Sequence, residues 1–260
     1  MERQVVWITG ASSGIGEALA YAYSELGATL ILSSRNRELL ISVKEKCKHQ
    51  NKVHILTLDL EDTSSLSLKV KEAINIYGRI DILINSGGVS QRSLAIETNL
   101  ETEQRLMNIN FWGTVVLSKA VLPQMLTQKN GHLVCISSLV GKFGTPLRSS
   151  YSASKHALHG YFDSLRAETP QNIYTTIICP GFIRTQVTIN ALTANGTAQG
   201  TMDKAQENGM SPEDCAKEII KAINAKKLEA YIGGKETNGV LLKRFFPKLF
   251  ARIIRTTKVT

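Results

Sequence analysis

Cysteine is scarce in this chain. Four residues in 260 (Cys47, Cys135, Cys179 and Cys215) stand alone, with no CxxC pair and no framework for disulfides. Isolated thiols fit a reducing compartment, so a cytoplasmic protein is expected. Proline is also rare, with six residues, and apolar residues reach 43%, which excludes a disordered or collagen-like chain. No run of about 18 uninterrupted apolar residues occurs, so no membrane-spanning helix is expected. The start, Met1 to Thr9, passes into a strand-like run without a long apolar core, and no export signal is read there. Asn195-Gly196-Thr197 is therefore a glycosylation triplet by spelling only. Of five histidines, His156 and His159 lie three apart on one helical segment, but no third ligand is near, so no metal site is expected.

Short apolar runs are abundant and alternate with helix-length segments. The strands expected are Gln4–Thr9, Thr29–Ser33, Val53–Leu58, Ile80–Asn85, His132–Ser137, Tyr174–Cys179 and Glu229–Ile232. Helical spacing covers Ile15–Leu26, Arg37–His49, Ser65–Tyr77, Glu101–Leu126, Ser152–Thr169 and Pro212–Ala225. Consecutive apolar residues, as in Val5-Val6-Trp7-Ile8, suit strands covered on both faces. The alternation predicts a single doubly wound α/β domain of Rossmann type: a seven-stranded parallel sheet with helices on both faces. Gln186–Gly209 is weakly patterned and long for a loop in such a fold, which suggests a lid.

The first strand runs into Gly10-Ala11-Ser12-Ser13-Gly14-Ile15-Gly16 and then a helix. Glycines there allow a sharp turn and close approach to a pyrophosphate, which the free N–H groups of the helix start then face. A plain strand-to-helix turn is the alternative. After the second strand stands Ser34-Arg35, with no acid where one would hold a ribose hydroxyl. A guanidinium in that place favours a 2′-phosphate, hence NADP(H), unless Arg35 simply sits on a solvated helix start.

Tyr151 and Lys155 are four residues apart on a helix and share a face. A free phenol titrates at about pH 10, and a nearby ammonium favours its ionised form, which would make Tyr151 a general acid/base. Ser138 lies 13 residues earlier, beyond an apolar strand, where its hydroxyl could orient a carbonyl.

Taken in order, these features resemble the short-chain dehydrogenase/reductase family over nearly the whole chain to about residue 235. The likeness rests on Thr9–Gly16, Asp59-Leu60, Asn85-Ser86-Gly87-Gly88, Asn110, Ser138, Tyr151 with Lys155, and Pro180-Gly181. Ser86 departs from the commoner Asn or Ala. The resemblance implies that Tyr151 exchanges the proton with the carbonyl oxygen, that Lys155 assists it and holds the nicotinamide ribose, and that Ser138 places the carbonyl. It implies a water-linked proton relay through Asn110. Asp59 and Leu60 would meet the adenine, Asn85 the cofactor ribose, and Ile183 and Thr185 the carboxamide and phosphates. The stretch Gly141–Glu168 is similar to the member 7 subgroup, whose relatives act on lipid-like or other apolar carbonyls. The family further implies a homodimer or homotetramer through Glu101–Leu126 and Ser152–Thr169.

Formal net charge is +9, and +6 of it falls in residues 235–260, where Glu236 is the one acid. The chain divides on this reading into a dinucleotide-binding and catalytic domain, 1–235, and a basic amphipathic segment, 236–260. In the latter, Leu241, Leu242, Phe245, Phe246, Leu249, Phe250, Ile253 and Ile254 make an apolar stripe opposite Lys243, Arg244, Lys248, Arg252 and Arg255, with Pro247 as a break. The stripe would pack on the parent domain or a sister subunit, or lie on a membrane surface. No nucleic-acid function is expected, because the excess charge belongs to the tail. The function expected is NADPH-dependent interconversion of a small, apolar carbonyl and its alcohol. The alternative is a non-catalytic NADP(H)-binding or redox-sensing protein on the same scaffold.

Overall fold

A computed structural model describes residues 4–257. The first three residues and Lys258, one of the tail's basic residues, lie outside it. Seven parallel strands stand in the order β3-β2-β1-β4-β5-β6-β7: β1 Val5–Thr9, β2 Thr29–Ser33, β3 Val53–Ile55, β4 Ile82–Asn85, β5 Gly131–Ile136, β6 Ile173–Pro180 and β7 Glu229–Ile232. The helices follow as α1 Gly14–Glu25, α2 Arg37–Lys46, α3 Thr63–Tyr77, α4 Leu100–Met107, α5 Gly113–Gln128, α6 Ser149–Glu168, α7 Lys204–Glu207, α8 Pro212–Asn224, α9 Asn238–Phe245 and α10 Pro247–Thr256.

Each strand feeds two cores, because successive side chains point to opposite faces. Val6 and Ile8 of β1 pack with α1, α2 and α8, while Val5 and Trp7 pack with α3, α5 and α6. The Trp7 indole is fully buried and donates to Ser33 Oγ at 2.9 Å, so its one polar atom is satisfied. Burial of both faces explains why these strands read as unbroken apolar runs.

Two expectations shift. The expected third strand, Val53–Leu58, ends at Ile55, although Leu56 and Leu58 still donate backbone bonds to Leu32 and Ser34. It is an edge strand with a neighbour on one side only. The expected helix Glu101–Leu126 is divided by a π-helical turn, Asn108–Trp112, between α4 and α5. Such a wide turn accommodates one extra residue and often marks a functional position.

The strand order reverses between β1 and β4. Connections leave in opposite directions there, and a crevice opens beyond the strands' carboxyl ends. The tail forms two helices, and Pro247 opens the second of them. Phe250 is buried against Phe143, their ring centroids 5.1 Å apart, and Val240, Leu242 and Ile254 pack on the same core.

Candidate active site

The crevice has a volume of about 1190 Å³. Its nucleotide end is built from backbone. Gly10 has φ +65°, a left-handed value that favours glycine, and a Cβ there would stand 2.7 Å from Gly87. A Cβ on Gly16 would collide with the Gly10 carbonyl oxygen. Two turns of chain are thus pressed together with no room for side chains. Ser13 caps α1 without a side-chain hydrogen bond, which leaves the helix's first N–H groups facing the crevice. Ser12, Ser13, Gly14, Ile15 and Gly16 line this end with Ser34, Arg35, Asp59 and Leu60. Arg35 is exposed at the end of β2, and Asn36 beside it caps α2 by accepting from Leu39 N. The cradle and the open helix start together fit a dinucleotide.

The chemical end is built from side chains. Tyr151 lies in the first turn of α6, which starts at Ser149, three residues earlier than expected. The cause is remote in sequence. Gln91, fully buried after β4, accepts through Oε1 from Ser150 N at 2.9 Å and Tyr151 N at 3.2 Å. It caps the helix and fixes the tyrosine's backbone. One turn on, Lys155 is buried, and its Nζ donates to the Ile136 carbonyl at 2.9 Å. The same ammonium is 5.8 Å from the Tyr151 ring centroid. Ser138 Oγ accepts from Val140 N at 3.3 Å. Ser138, Tyr151 and Lys155 all line the crevice, as do Ile183 and Thr185.

Two expected residues stand behind its wall. Asn110, on the π-helical turn, is fully buried. It accepts from Val89 N at 2.8 Å and donates to Val89 O at 2.9 Å and Ser154 Oγ at 3.0 Å. It therefore ties the loop after β4 to α6. Asn85 is buried, donates to Ser118 Oγ at 3.0 Å on α5, and is absent from the crevice lining.

Several residues that the sequence reading passed over complete the site. Asp203, buried before α7, accepts from Arg92 and, at 3.3 Å, from Arg148, which pins the Gln186–Gly209 stretch to the start of α6. Burial and the neighbouring Arg92 pull the Arg148 guanidinium down to about 10. Glu236 Oε1 accepts from Phe182 N at 3.1 Å and Gly234 N at 2.9 Å, holding the turn after β6. Under the floor, His159, Cys179 and Glu229 bring ligand-type atoms within 4.8 Å of one another, though their sequence spacing gives no hint of it. His159 Nε2 already meets Ser137 Oγ at 3.0 Å, and Glu229 pairs with Lys142 at 2.8 Å. Burial lowers the His159 imidazole to about 4, helped by Lys142. The outer wall is apolar: Phe143, Leu241, Leu242, Phe245, Phe246 and Phe250, four of them bulky aromatics.

The fold is shared with known proteins. The family model described as short chain dehydrogenase matches residues 4–196. A dehydrogenase/reductase SDR family protein 7-like from Anopheles gambiae is 46% identical over 227 residues, covering 85% of this chain and 72% of its own. A short-chain dehydrogenase/reductase from Burkholderia phymatum in complex with NAD superposes with a TM-score of 0.85 at 22% identity, over 95% of this chain and 94% of its own. An alcohol dehydrogenase from Thermococcus sibiricus complexed with 5-hydroxy-NADP does so with a TM-score of 0.77 at 22% identity, over 90% and 97%.

Proposed function

The chain belongs to the short-chain dehydrogenase/reductase family of oxidoreductases, in its 7-like branch, and on that premise we propose that it interconverts an apolar carbonyl and its alcohol with NADP(H). The observation that carries the reading is the meeting of Ser138, Tyr151 and Lys155 at one end of a crevice whose other end is a glycine cradle.

NADPH, when bound, supplies the hydride that reaches the carbonyl carbon. Every other task falls to the chain. The N–H groups at the start of α1 and the backbone of Gly10–Gly16 would hold the pyrophosphate. Arg35, exposed at the crevice's nucleotide end, would hold the 2′-phosphate. Ser138 Oγ holds the carbonyl oxygen in place, and the Tyr151 phenol gives that oxygen its proton, or takes it back in the oxidation direction. Lys155, anchored on Ile136 O, keeps a positive charge beside the tyrosine. Asn110 acts as a positioning residue, since its side-chain amide is engaged with Val89 and Ser154. The phenylalanine and leucine wall supports an apolar substrate. Exposed Trp112, edge-on to Phe111, supports a homo-oligomeric contact along α5 and α6.

The test follows the loss of nicotinamide absorbance over a panel of apolar ketones and aldehydes, with NADPH and NADH in parallel. Turnover with NADPH and its loss in Tyr151→Phe is the expected result. Full turnover in that variant would remove the proton-transfer role.

A further inference from the structure

The tail's apolar stripe does not end where the crevice begins. Leu241, Phe245, Phe246 and Ile253 line the crevice and are also 57%, 65%, 62% and 44% exposed. One continuous apolar surface therefore runs from open solvent into the substrate end. Exposed patches of this kind mark contact sites. The same two helices carry Lys243, Arg244, Lys248, Arg252 and Arg255, all exposed, and residues 238–257 contain no acid. No helix among the described residues is long and apolar enough to cross a membrane.

We infer that α9 and α10 seat the crevice mouth on an anionic lipid surface, so that an apolar substrate passes from the leaflet into the site without crossing water. The delivery half rests on the oxidoreductase reading above; the docking half does not. Charge selects the occupant. A two-fold contact with a second copy would set this five-cation rim against itself, and like charges across an interface are unfavourable. An anionic leaflet complements the rim and solvates the phenylalanines. The packing of Phe250 on Phe143 holds the helices over the mouth while the opposite face stays outward.

The experiment is vesicle co-sedimentation of the intact protein with phosphatidylglycerol/phosphatidylcholine vesicles and with phosphatidylcholine alone. The expected result is binding to the anionic vesicles that salt weakens. Reversing three cations that do not line the crevice (Lys248→Glu, Arg252→Glu, Arg255→Glu) should weaken it by on the order of 100-fold or more. Leu249→Asp, on the outward face, should weaken it too. Turnover of a small water-soluble ketone should be the same in all variants, whereas a long-chain ketone dissolved in the vesicles should be consumed faster by the native protein. Absence of vesicle binding, or equal binding by the charge-reversed protein, overturns the docking. A dimer in solution that Leu249→Asp splits overturns it as well, by giving the patch to a second copy. Equal rates on the vesicle-borne ketone overturn the delivery. Sedimentation needs no turnover, so binding without any ketone reduction would sink the enzymatic reading and leave the docking standing.

Discussion

The two ends of the crevice are made in different ways. The nucleotide end is main chain against main chain, with Gly10 and Gly16 so close to neighbouring backbone that a methyl group on either has nowhere to go. The chemical end is a set of side chains gathered from β5, α6, the loop after β4 and the tail. The first is rigid and constrained by a few consecutive residues. The second depends on long-range caps and ties, and its outer wall is half open to solvent. The first should therefore tolerate almost no change, while the second should graduate from intolerant at Tyr151 to permissive at the tail.

The largest effect is expected at the chemistry itself. Tyr151→Phe should lower turnover by on the order of 10²–10⁴-fold, with cofactor affinity held within a few-fold. Equal loss of both would mean that the two ends are not separable. Next comes Gly16→Ala, whose methyl meets backbone and cannot be relieved by a rotamer. Overpacking of this kind costs about 1–3 kcal/mol, read as a lower thermal midpoint together with weaker cofactor binding. Arg35→Asp should leave stability alone and shift the NADPH-over-NADH preference by on the order of 10–100-fold. An unchanged preference would show that the guanidinium only faces water.

Acid should discriminate between the ends in another way. His159, beneath Ser137, is held near 4 by burial and then by Lys142. Its folded value is below the unfolded one, so the unfolded chain takes up the proton first. Its stabilising effect is complete above about pH 6.5 and drains away as pH falls towards 4. Urea unfolding at pH 7 and pH 5 should differ by about 1–2 kcal/mol from this group, and His159→Gln should remove that share. The smallest effect belongs to the rim. Phe245→Ala should change stability by less than about 0.5 kcal/mol while raising KM for bulky ketones.

The same contrast governs what could be read from the sequence. The turn Gly10–Gly16, the Tyr151–Lys155 pair and the strand periodicity are local patterns, each dictated by residues within one element. The α6 cap by Gln91 is 59 residues away from the N–H it serves, and the Arg92–Asp203 tie spans 111. Nothing in either neighbourhood announces them. The π-helical turn escaped for a different reason: Asn108–Trp112 has ordinary helical apolar spacing, and the extra residue shows only in the bonding. The family resemblance implies Asn85 beside the cofactor ribose, and its amide nitrogen donates to Ser118 on α5, a partner 33 residues away that its own neighbourhood does not announce.

The wide turn between α4 and α5 is absorbed where it occurs. Each helical residue advances the outward direction by about 100°, so Leu106 and Leu117 return to within about 20° of one another around the axis. Both are fully buried, as are Val121 and Met125, so the inward faces of α4 and α5 agree without any rotation between them. What the turn itself carries is Asn110, whose side chain reaches Val89 and Ser154. Shortening 108–112 by one residue should therefore break that tie first and leave α5 facing the sheet.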